Sequence, residues 1–352
     1  MSEPSGTVLN INIGAIVENF RYLRDHAGTE TACVVKADCY GLGATKIVHA
    51  LDLAGAREFF VATAGEGRAL RDITARDIYV LGGIHHGARD DFAKYRLIPV
   101  LNSMSDIVAW SGACVIHFDT GMNRLGLSAD DVDRLAAQPE LLEKLDIKFG
   151  MSHFACSDEK DHPLNAAQVE RFGEIQAKLP LIRRWSMCNS SGIFRVAYKY
   201  DLVRPGYALY GGNPTPETSN PMRPVVTLNA RVLQTRRVKA GETIGYGATH
   251  TFDTDTETAT LAFGYADGFH RGFGRASVYY NGVACPILGR VSMDLICVGI
   301  GHLPQKPAPG GVMEVLGPHQ DIDQLAASAG TIGYEILTGL GTRYARVYIN
   351  GS

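Results

Sequence analysis

The sequence lacks the features that mark several large classes of protein. No apolar run approaches the roughly 20 residues of a membrane-spanning helix. A net charge of −3 provides no basic excess for nucleic acid or an anionic membrane. The N-terminal residues have no basic region followed by an apolar core, so we see no secretion signal and expect a cytoplasmic location. We therefore expect neither nucleic acid nor a membrane as a partner.

Cysteine and histidine are present, but not at metal-binding spacing. The 7 cysteines are odd in number and form no CxxC pair, which argues against both a zinc site and a disulfide framework. The adjacent pair His85-His86 has no further ligands at metal spacing, and we interpret it as a turn or a solvated pair. We predict free thiols and no bound metal.

Short apolar runs alternate with amphipathic stretches through the first 200 residues. The candidate strands are residues 32–36, 58–62, 77–81, 97–101, 113–118, 147–153, 185–189 and 202–204. Repeated β–α units predict a parallel sheet, and eight of them favour closure into a (β/α)8 TIM-type barrel. A doubly wound open sheet is the alternative.

The pattern changes after a segment rich in proline, serine and threonine at residues 214–221. Beyond it, residues 225–238, 258–263, 276–280, 283–288 and 295–300 alternate like half-buried antiparallel strands. Residues 322–329 are typical of a helix and 345–349 of a last strand. We therefore predict an α/β fold in which the barrel spans residues 1–222 and a mostly β C-terminal domain spans 223–352.

The stretch at residues 32–43, ACVVKADCYGLG, combines a buried strand, a lysine, a glycine turn and a following helix. An amine held at a strand end in partly dry surroundings loses its proton more readily than an exposed amine. A neutral amine can attack a carbonyl and form a Schiff base. Lys36 is therefore a candidate nucleophile or base, although a surface lysine at a strand end is an alternative interpretation.

Other polar residues also follow predicted barrel strands, where the functional residues of such barrels lie. Ser191 and Gly206 occupy loop-to-helix junctions suited to a phosphate. Arg204 supplies a permanent cation. A lysine imine, a phosphate cradle and an aromatic ring together suggest pyridoxal phosphate.

At this point the chain resembles the alanine racemases, two-domain pyridoxal-phosphate enzymes with a barrel and a β domain. The motifs that carry the resemblance are VVKADCYGLG (34–43), DTGMNRLG (119–126), SHFA (152–155), VRPGYALYG (203–211), IGYG (244–247), GYADG (264–268), GRVSMD (289–294) and GYEILT (333–338). They keep the family's order over nearly the whole chain. The resemblance implies interconversion of L- and D-alanine, either to supply D-alanine for peptidoglycan or to degrade it.

The resemblance also implies a role for individual residues. Lys36 would hold the cofactor and act as one catalytic base, and Tyr246, donated by the partner subunit of a homodimer, would be the other. Arg204 would face the pyridine nitrogen, with His153 hydrogen-bonded to it. The residues around the cofactor phosphate would be Tyr40, Ser191, Gly206, Tyr207 and Tyr334. The residues on the substrate side would be Arg124, Met293 and Tyr265.

One position departs from the family pattern. Many members carry a carbamylated lysine just before the DTGM run, where it braces the arginine that corresponds to Arg124. The aligned residue here is His117, which cannot form a stable carbamate of that kind. We therefore predict that no carbamylated lysine contacts Arg124.

Three alternatives to an alanine racemase remain open at this stage. A decarboxylase of the ornithine-decarboxylase type would carry glutamate in place of Arg204. A non-catalytic pyridoxal-phosphate carrier would lack the β domain and Tyr246. A broad-specificity or serine-type racemase is harder to distinguish, but Tyr334 at the pocket favours alanine.

Overall fold

The computed structural model describes residues 7–84 and 89–350. The His85-His86 pair lies outside the described residues, and its interpretation stays a prediction. Across those two ranges, no group of three or more His, Cys, Asp or Glu side chains is placed to hold a metal ion. None of the helices in the same ranges is both long and apolar enough to cross a membrane.

The first half of the chain closes into a parallel barrel. Its first strand is in two pieces, of which Glu30–Thr31 pairs with the last strand, Leu202–Val203, and Cys33–Val34 pairs with the second, Glu58–Val61. This split strand joins the two edges of the sheet, so the predicted closed barrel is confirmed and the open-sheet alternative is wrong. The other barrel strands are Asp77–Val80, Ile98–Leu101, Gly112–His117, Leu145–Met151 and Trp185–Ser186.

Helices cover the outside of the barrel, and side chains fill its inside. Three of the helices begin at hydroxyl residues, Thr63, Ser103 and Ser128, whose side chains accept an otherwise unpaired backbone N–H. Inside the barrel, the rings of Tyr79 and Phe149 pack edge to face with centroids 5.1 Å apart. The helices of this part are Ile13–Ala27, Ala44–Leu53, Ala64–Arg71, Arg89–Lys94, Met104–Ala109, Ala129–Ala137, Glu140–Glu143, Pro163–Lys178 and Gly192–Arg195, with a 3-10 helix at Tyr207–Tyr210.

The second half is mostly β, as predicted. The 13-residue strand Val226–Val238 organises it, because it pairs with Thr256–Leu261, Val312–Leu316 and the N-terminal strand Val8–Asn12. The other strands of this half are Ser277–Tyr280, Val283–Leu288, Ile296–Gly299 and Ala345–Ile349, and a separate hairpin pairs Thr243–Ile244 with His250–Thr251. Its helices are Ile322–Ala329 and Gly333–Gly339, with 3-10 helices at Tyr246–Ala248, Tyr265–Asp267 and Arg271–Arg275.

The first strand of the chain lies in the sheet of the second half rather than in the barrel. Val8–Asn12 lies between Val226–Val238, to which it is antiparallel, and Ala345–Ile349, to which it is parallel. The helix Ile13–Ala27 then leads to the first barrel strand. Residues near the two ends of the sequence are therefore neighbours in one sheet.

Candidate active site

The carboxyl ends of the barrel strands open into a cavity of about 420 Å³. Seven of the predicted site residues line it, namely Lys36, Tyr40, His153, Arg204, Gly206, Tyr207 and Tyr334. A larger cleft of about 700 Å³ lies at the opposite end of the barrel, but its Arg184 is already paired with Glu30 and Glu58. The reactive groups are therefore at the smaller cavity.

Lys36 follows the first barrel strand and its surroundings favour the neutral amine. Burial lowers the pKa of Lys36, and the positive charge of Arg124 lowers that pKa further. The carboxylate of Glu66 acts in the opposite direction and raises the pKa. A lowered pKa increases the share of neutral amine, and the neutral amine is the form that accepts a proton.

The backbone directly after Lys36 is strained. The four residues 37–40 all adopt left-handed conformations, with φ between 52° and 56°, although none of them is glycine. Such a conformation costs an ordinary residue roughly 1–2 kcal/mol. The turn is therefore held by its surroundings rather than by local preference.

Part of that support comes from the last strand, Ala345–Ile349. The guanidinium of Arg346 donates to the carbonyl oxygen of Gly41 at 2.5 Å, and the hydroxyl of Tyr348 donates to the carbonyl oxygen of Leu42 at 3.0 Å. The second half of the chain thus fixes the far end of the turn that begins at Lys36.

Arg204 is a buried cation for which the described part of the chain provides no carboxylate at ion-pair distance. Its side chain is among the most buried of the charged groups. Its Nη1 donates to Ser186 Oγ and its Nη2 donates to the carbonyl oxygen of Ser152 at 2.5 Å. Burial lowers the pKa of Arg204 to about 10, so the guanidinium stays charged at neutral pH. A buried and unpaired cation of this kind needs an electron-rich partner in the cavity.

Two histidines near Arg204 are held neutral. Burial, followed by the charge of Arg204, lowers the pKa of His153 and lowers that of His117 to about 4. His117 Nδ1 lies 2.8 Å from Asn102 Oδ1. The expected hydrogen bond from His153 to Arg204 is not found in the described residues, since the guanidinium turns to Ser186 and Ser152 instead.

Aromatic side chains and one glycine form a wall of the cavity. The Gly206 backbone lies so close to Tyr40 that a Cβ at position 206 would be 2.3 Å from the Tyr40 hydroxyl oxygen. The rings of Tyr207 and Tyr334 stack with centroids 3.9 Å apart. The Tyr207 hydroxyl donates to Asp323 Oδ1 at 2.5 Å, so this ring also joins the barrel to the second half.

Ser190 lies on this cavity, whereas Ser191 is not among the lining residues in the described structure. The Ser190 hydroxyl accepts from the N–H groups of Gly206 and Ala208, at 3.1 and 3.2 Å. Ser191 is buried one residue further on, where the helix Gly192–Arg195 begins. The sequence identified the correct loop but could not tell which of two adjacent serines faces the cavity.

The remaining predicted residues lie elsewhere in the single chain. Tyr246 and Tyr265 line an open pocket of the second half together with Arg290, and Tyr246 is 71% exposed. Arg124 lines neither pocket but is coupled to Lys36 by charge, and Met293 is more than half exposed. The structure therefore brings most of the predicted cofactor-binding residues together, whereas Tyr246, the predicted second base, lies apart from Lys36 within one chain.

Sequence reasoning assigned no individual role to several residues at or near this cavity. Glu335 and Thr338 line it and belong to the GYEILT motif, and Asn189 lines it at the end of a predicted barrel strand. Glu66 lies beside Lys36, and the Thr63-x-x-Glu66 spacing of a helix capping box could have drawn attention to it.

Comparison with protein families accounts for almost the whole chain. One family model, described as "Alanine racemase, N-terminal domain", matches residues 11–214, and another, "Alanine racemase, C-terminal domain", matches residues 225–348. This chain belongs to the alanine racemase family. The resemblance inferred from the motifs is thereby confirmed.

Individual alanine racemases are similar along their full length. The alanine racemase of Rhodospirillum rubrum is 45% identical over 97% of this chain and 95% of its own. The catabolic alanine racemase of Mesorhizobium japonicum is 45% identical over 99% of this chain and 94% of its own. The crystal structure of the Bartonella henselae alanine racemase, with covalently bound pyridoxal phosphate, matches with a TM-score of 0.94 at 39% identity, covering 97% of this chain and 99% of that one.

Proposed function

We propose that this member of the alanine racemase family interconverts L- and D-alanine with pyridoxal phosphate. The observation that carries the proposal is that two particular side chains line the same cavity. Lys36 is an amine with a lowered pKa, and Arg204 is a buried cation with no carboxylate partner among residues 7–84 and 89–350. An ornithine-decarboxylase-type enzyme would place glutamate where Arg204 lies, and a carrier would not need the second half of the chain.

The lining residues fit the cofactor by their chemistry. Pyridoxal phosphate, when bound, supplies an aldehyde for an amine and a conjugated ring that takes up the charge left by a departing α-proton. Lys36 would hold the aldehyde carbon, and Arg204 would donate to the ring nitrogen. Tyr40, Tyr207, Tyr334, the Gly206 loop and the Ser190-Ser191 loop would surround the phosphate. Glycine at position 206 allows this loop to approach Tyr40 closely, because a Cβ there would collide with the Tyr40 hydroxyl oxygen.

Arg204 disfavours protonation of a ring nitrogen beside it, because two like charges repel. With that nitrogen unprotonated, the ring would be a weaker electron sink, and protonation at its carbons, which would give transamination, would be disfavoured. His153 supports the same state, since it is buried and neutral and adds no negative charge. The residues around Arg204 therefore favour return of the proton to the α-carbon.

Two bases on opposite faces of the substrate suit a racemase. Lys36 would move the proton on one face of the α-carbon and Tyr246 on the other. We propose a homodimer with shared active sites, in which Tyr246 of one chain completes the cavity of the other. The high exposure of Tyr246 and its separation from the Lys36 cavity within one chain support this arrangement. Arg124, Met293 and Tyr265 would then bind or admit the substrate.

We also propose two domains divided near residue 222, with the N-terminal strand as an exception. The barrel and the mostly β half each form their own sheet, and the family models meet between residues 214 and 225. Val8–Asn12 contributes to the second sheet although it precedes the barrel.

The experiment is polarimetry of the purified, cofactor-loaded protein with L-alanine, beside Lys36→Ala. We expect the optical rotation to decay to zero with the wild type and to stay constant with the variant. A constant signal from a wild type that retains its cofactor would overturn the proposal. L-serine in the same cell tests the preference for alanine, for which Tyr334 at the cavity argues, and an equal specificity constant for serine would contradict that preference.

A further inference from the structure

We propose that Glu66 is a positioning residue for Lys36, because its carboxylate joins the backbone that follows Lys36 to the end of the second barrel strand. This inference deepens the proposed function, since it rests on Lys36 being the base. Glu66 does not line the cavity, and no role follows for it from the motifs.

The hydrogen bonds of Glu66 connect two separate segments. Its Oε1 accepts from the Ala37 N–H at 2.9 Å, and its Oε2 accepts from the Ala62 N–H at 2.7 Å. Ala37 directly follows Lys36 and opens the left-handed turn, whereas Ala62 directly follows the strand Glu58–Val61. One carboxylate thus fixes the first peptide of the strained turn against the rigid barrel.

The carboxylate is itself held in place. Glu66 is the third residue of the helix Ala64–Arg71, and it forms a capping box with Thr63. The Glu66 N–H donates to Thr63 Oγ1 at 3.2 Å. Since its own backbone is anchored in this way, Glu66 can hold the Ala37 peptide in one position, and the direction of the Lys36 side chain follows from that peptide.

The turn is therefore clamped at both ends. Arg346 and Tyr348 hold the carbonyl groups of Gly41 and Leu42 at its far end. Glu66 is the corresponding contact at its near end, next to the amine. Without it, four left-handed residues are free to relax towards ordinary conformations, and the backbone of Lys36 moves with them.

Two substitutions separate charge from contact, and a third provides a matched control. Glu66→Gln keeps one acceptor and removes the charge, while Glu66→Ala removes both contacts. Asp131→Asn is the control, because Asp131 is also the third residue of a capped barrel helix, Ala129–Ala137, and accepts from the N–H and the hydroxyl of Ser128. The Asp131→Asn variant disrupts a helix cap in the same way but does not contact the turn after Lys36.

The first readout is amide hydrogen exchange of the cofactor-loaded full-length protein, over peptides that contain residues 37–43. We expect exchange there to be faster in Glu66→Ala than in wild type, intermediate in Glu66→Gln and unchanged in Asp131→Asn. Unchanged exchange in both Glu66 variants would overturn the proposal. This readout needs no racemase activity, so it remains decisive even where the proposed function itself fails.

The second readout is the division of the kinetic effect between kcat and KM for alanine. A displaced base reduces the stabilisation of the transition state more than it reduces substrate binding. We therefore expect kcat of Glu66→Ala to fall by about 10- to 100-fold, with KM within about 3-fold of wild type. Asp131→Asn should keep the wild-type kcat. A folded Glu66→Ala variant with wild-type kcat, or one in which only KM changes, would refute the positioning role.

Discussion

Replacing Gly206 by alanine tests the wall of the cavity most directly. The Gly206 backbone has φ of −126°, so alanine meets no left-handed strain there. Its Cβ would instead lie 2.3 Å from Tyr40 Oη, 3.1 Å from Tyr40 Cζ and 3.4 Å from Val34 Cβ. Tyr40 cannot move towards Tyr210, because the centroids of the two rings are only 4.8 Å apart, so the direction left to it is the cavity that it lines.

The expected magnitude follows from this overlap. Forcing an extra methyl group into a packed site typically costs about 1–3 kcal/mol. Since the protein can relax by moving Tyr40 into the cavity, we expect the cost to appear as weaker cofactor binding, by about 5- to 150-fold. The measurement is the dissociation constant for pyridoxal phosphate, from dialysis against graded cofactor and the absorbance that remains with the protein.

A second substitution makes the prediction specific. Tyr40→Phe removes the oxygen that makes the closest contact and leaves the contacts at 3.1 and 3.4 Å, so Gly206→Ala should cost less in the Tyr40→Phe background than in wild type. Gly173→Ala is the control. Gly173 lies in the helix Pro163–Lys178, and a Cβ added there would meet no atom within 4 Å. Equal losses in both backgrounds, or no loss at all, would refute the steric reasoning.

Three further predictions follow from the same structure. Inactive Lys36→Ala and Tyr246→Phe proteins should regain partial racemase activity when mixed and allowed to exchange subunits, and hybrid dimers without activity would contradict the shared site. Burial lowers the pKa of His117 from 6.5 to about 4, so the folded protein binds fewer protons than the unfolded chain, and its stability falls as the pH drops below about 6.5, by about 2 kcal/mol at pH 5. The melting temperature of His117→Asn should therefore fall less between pH 7 and pH 5 than that of the wild type. An equal fall in both proteins would refute this. Tyr207→Phe removes the hydrogen bond from the hydroxyl to Asp323 and leaves that carboxylate with the Asn213 N–H as donor, so we expect a loss of about 1–3 kcal/mol of stability, measured as a lower melting temperature. The control is Tyr22→Phe, whose exposed side chain should make the melting temperature change little.

The barrel could be predicted from the sequence because its strands are apolar, short and separated by helical patterns. The predicted segment 58–62 matches Glu58–Val61, and 77–81 matches Asp77–Val80. Local hydrophobic pattern determines such elements, and it is visible in a single sequence. The strand Val312–Leu316 was missed because it is short and Glu314 interrupts its apolar pattern.

The details of the site depend on long-range contacts that the pattern does not encode. The left-handed turn could not be predicted because residues 37–40 include no glycine. Arg346, Tyr348 and Glu66, which are distant in the sequence, hold it in place. Which of two adjacent serines faces the cavity depends on where the Gly206 loop arrives. The grouping of residues around Lys36 was accessible through the motifs, whereas their hydrogen bonds required coordinates.

The pairing of the chain ends gives the N-terminal strand an influence beyond its own position. Ala345–Ile349 forms the edge of its sheet and has Val8–Asn12 as its neighbour in the described structure. The same edge strand carries Arg346 and Tyr348 to the turn behind Lys36. Removing residues 1–12 would therefore detach the last strand and loosen the lysine turn, although no residue of Val8–Asn12 is part of the cavity lining. A fusion partner or tag that disturbs the N-terminal strand acts on catalysis through this one β-ladder.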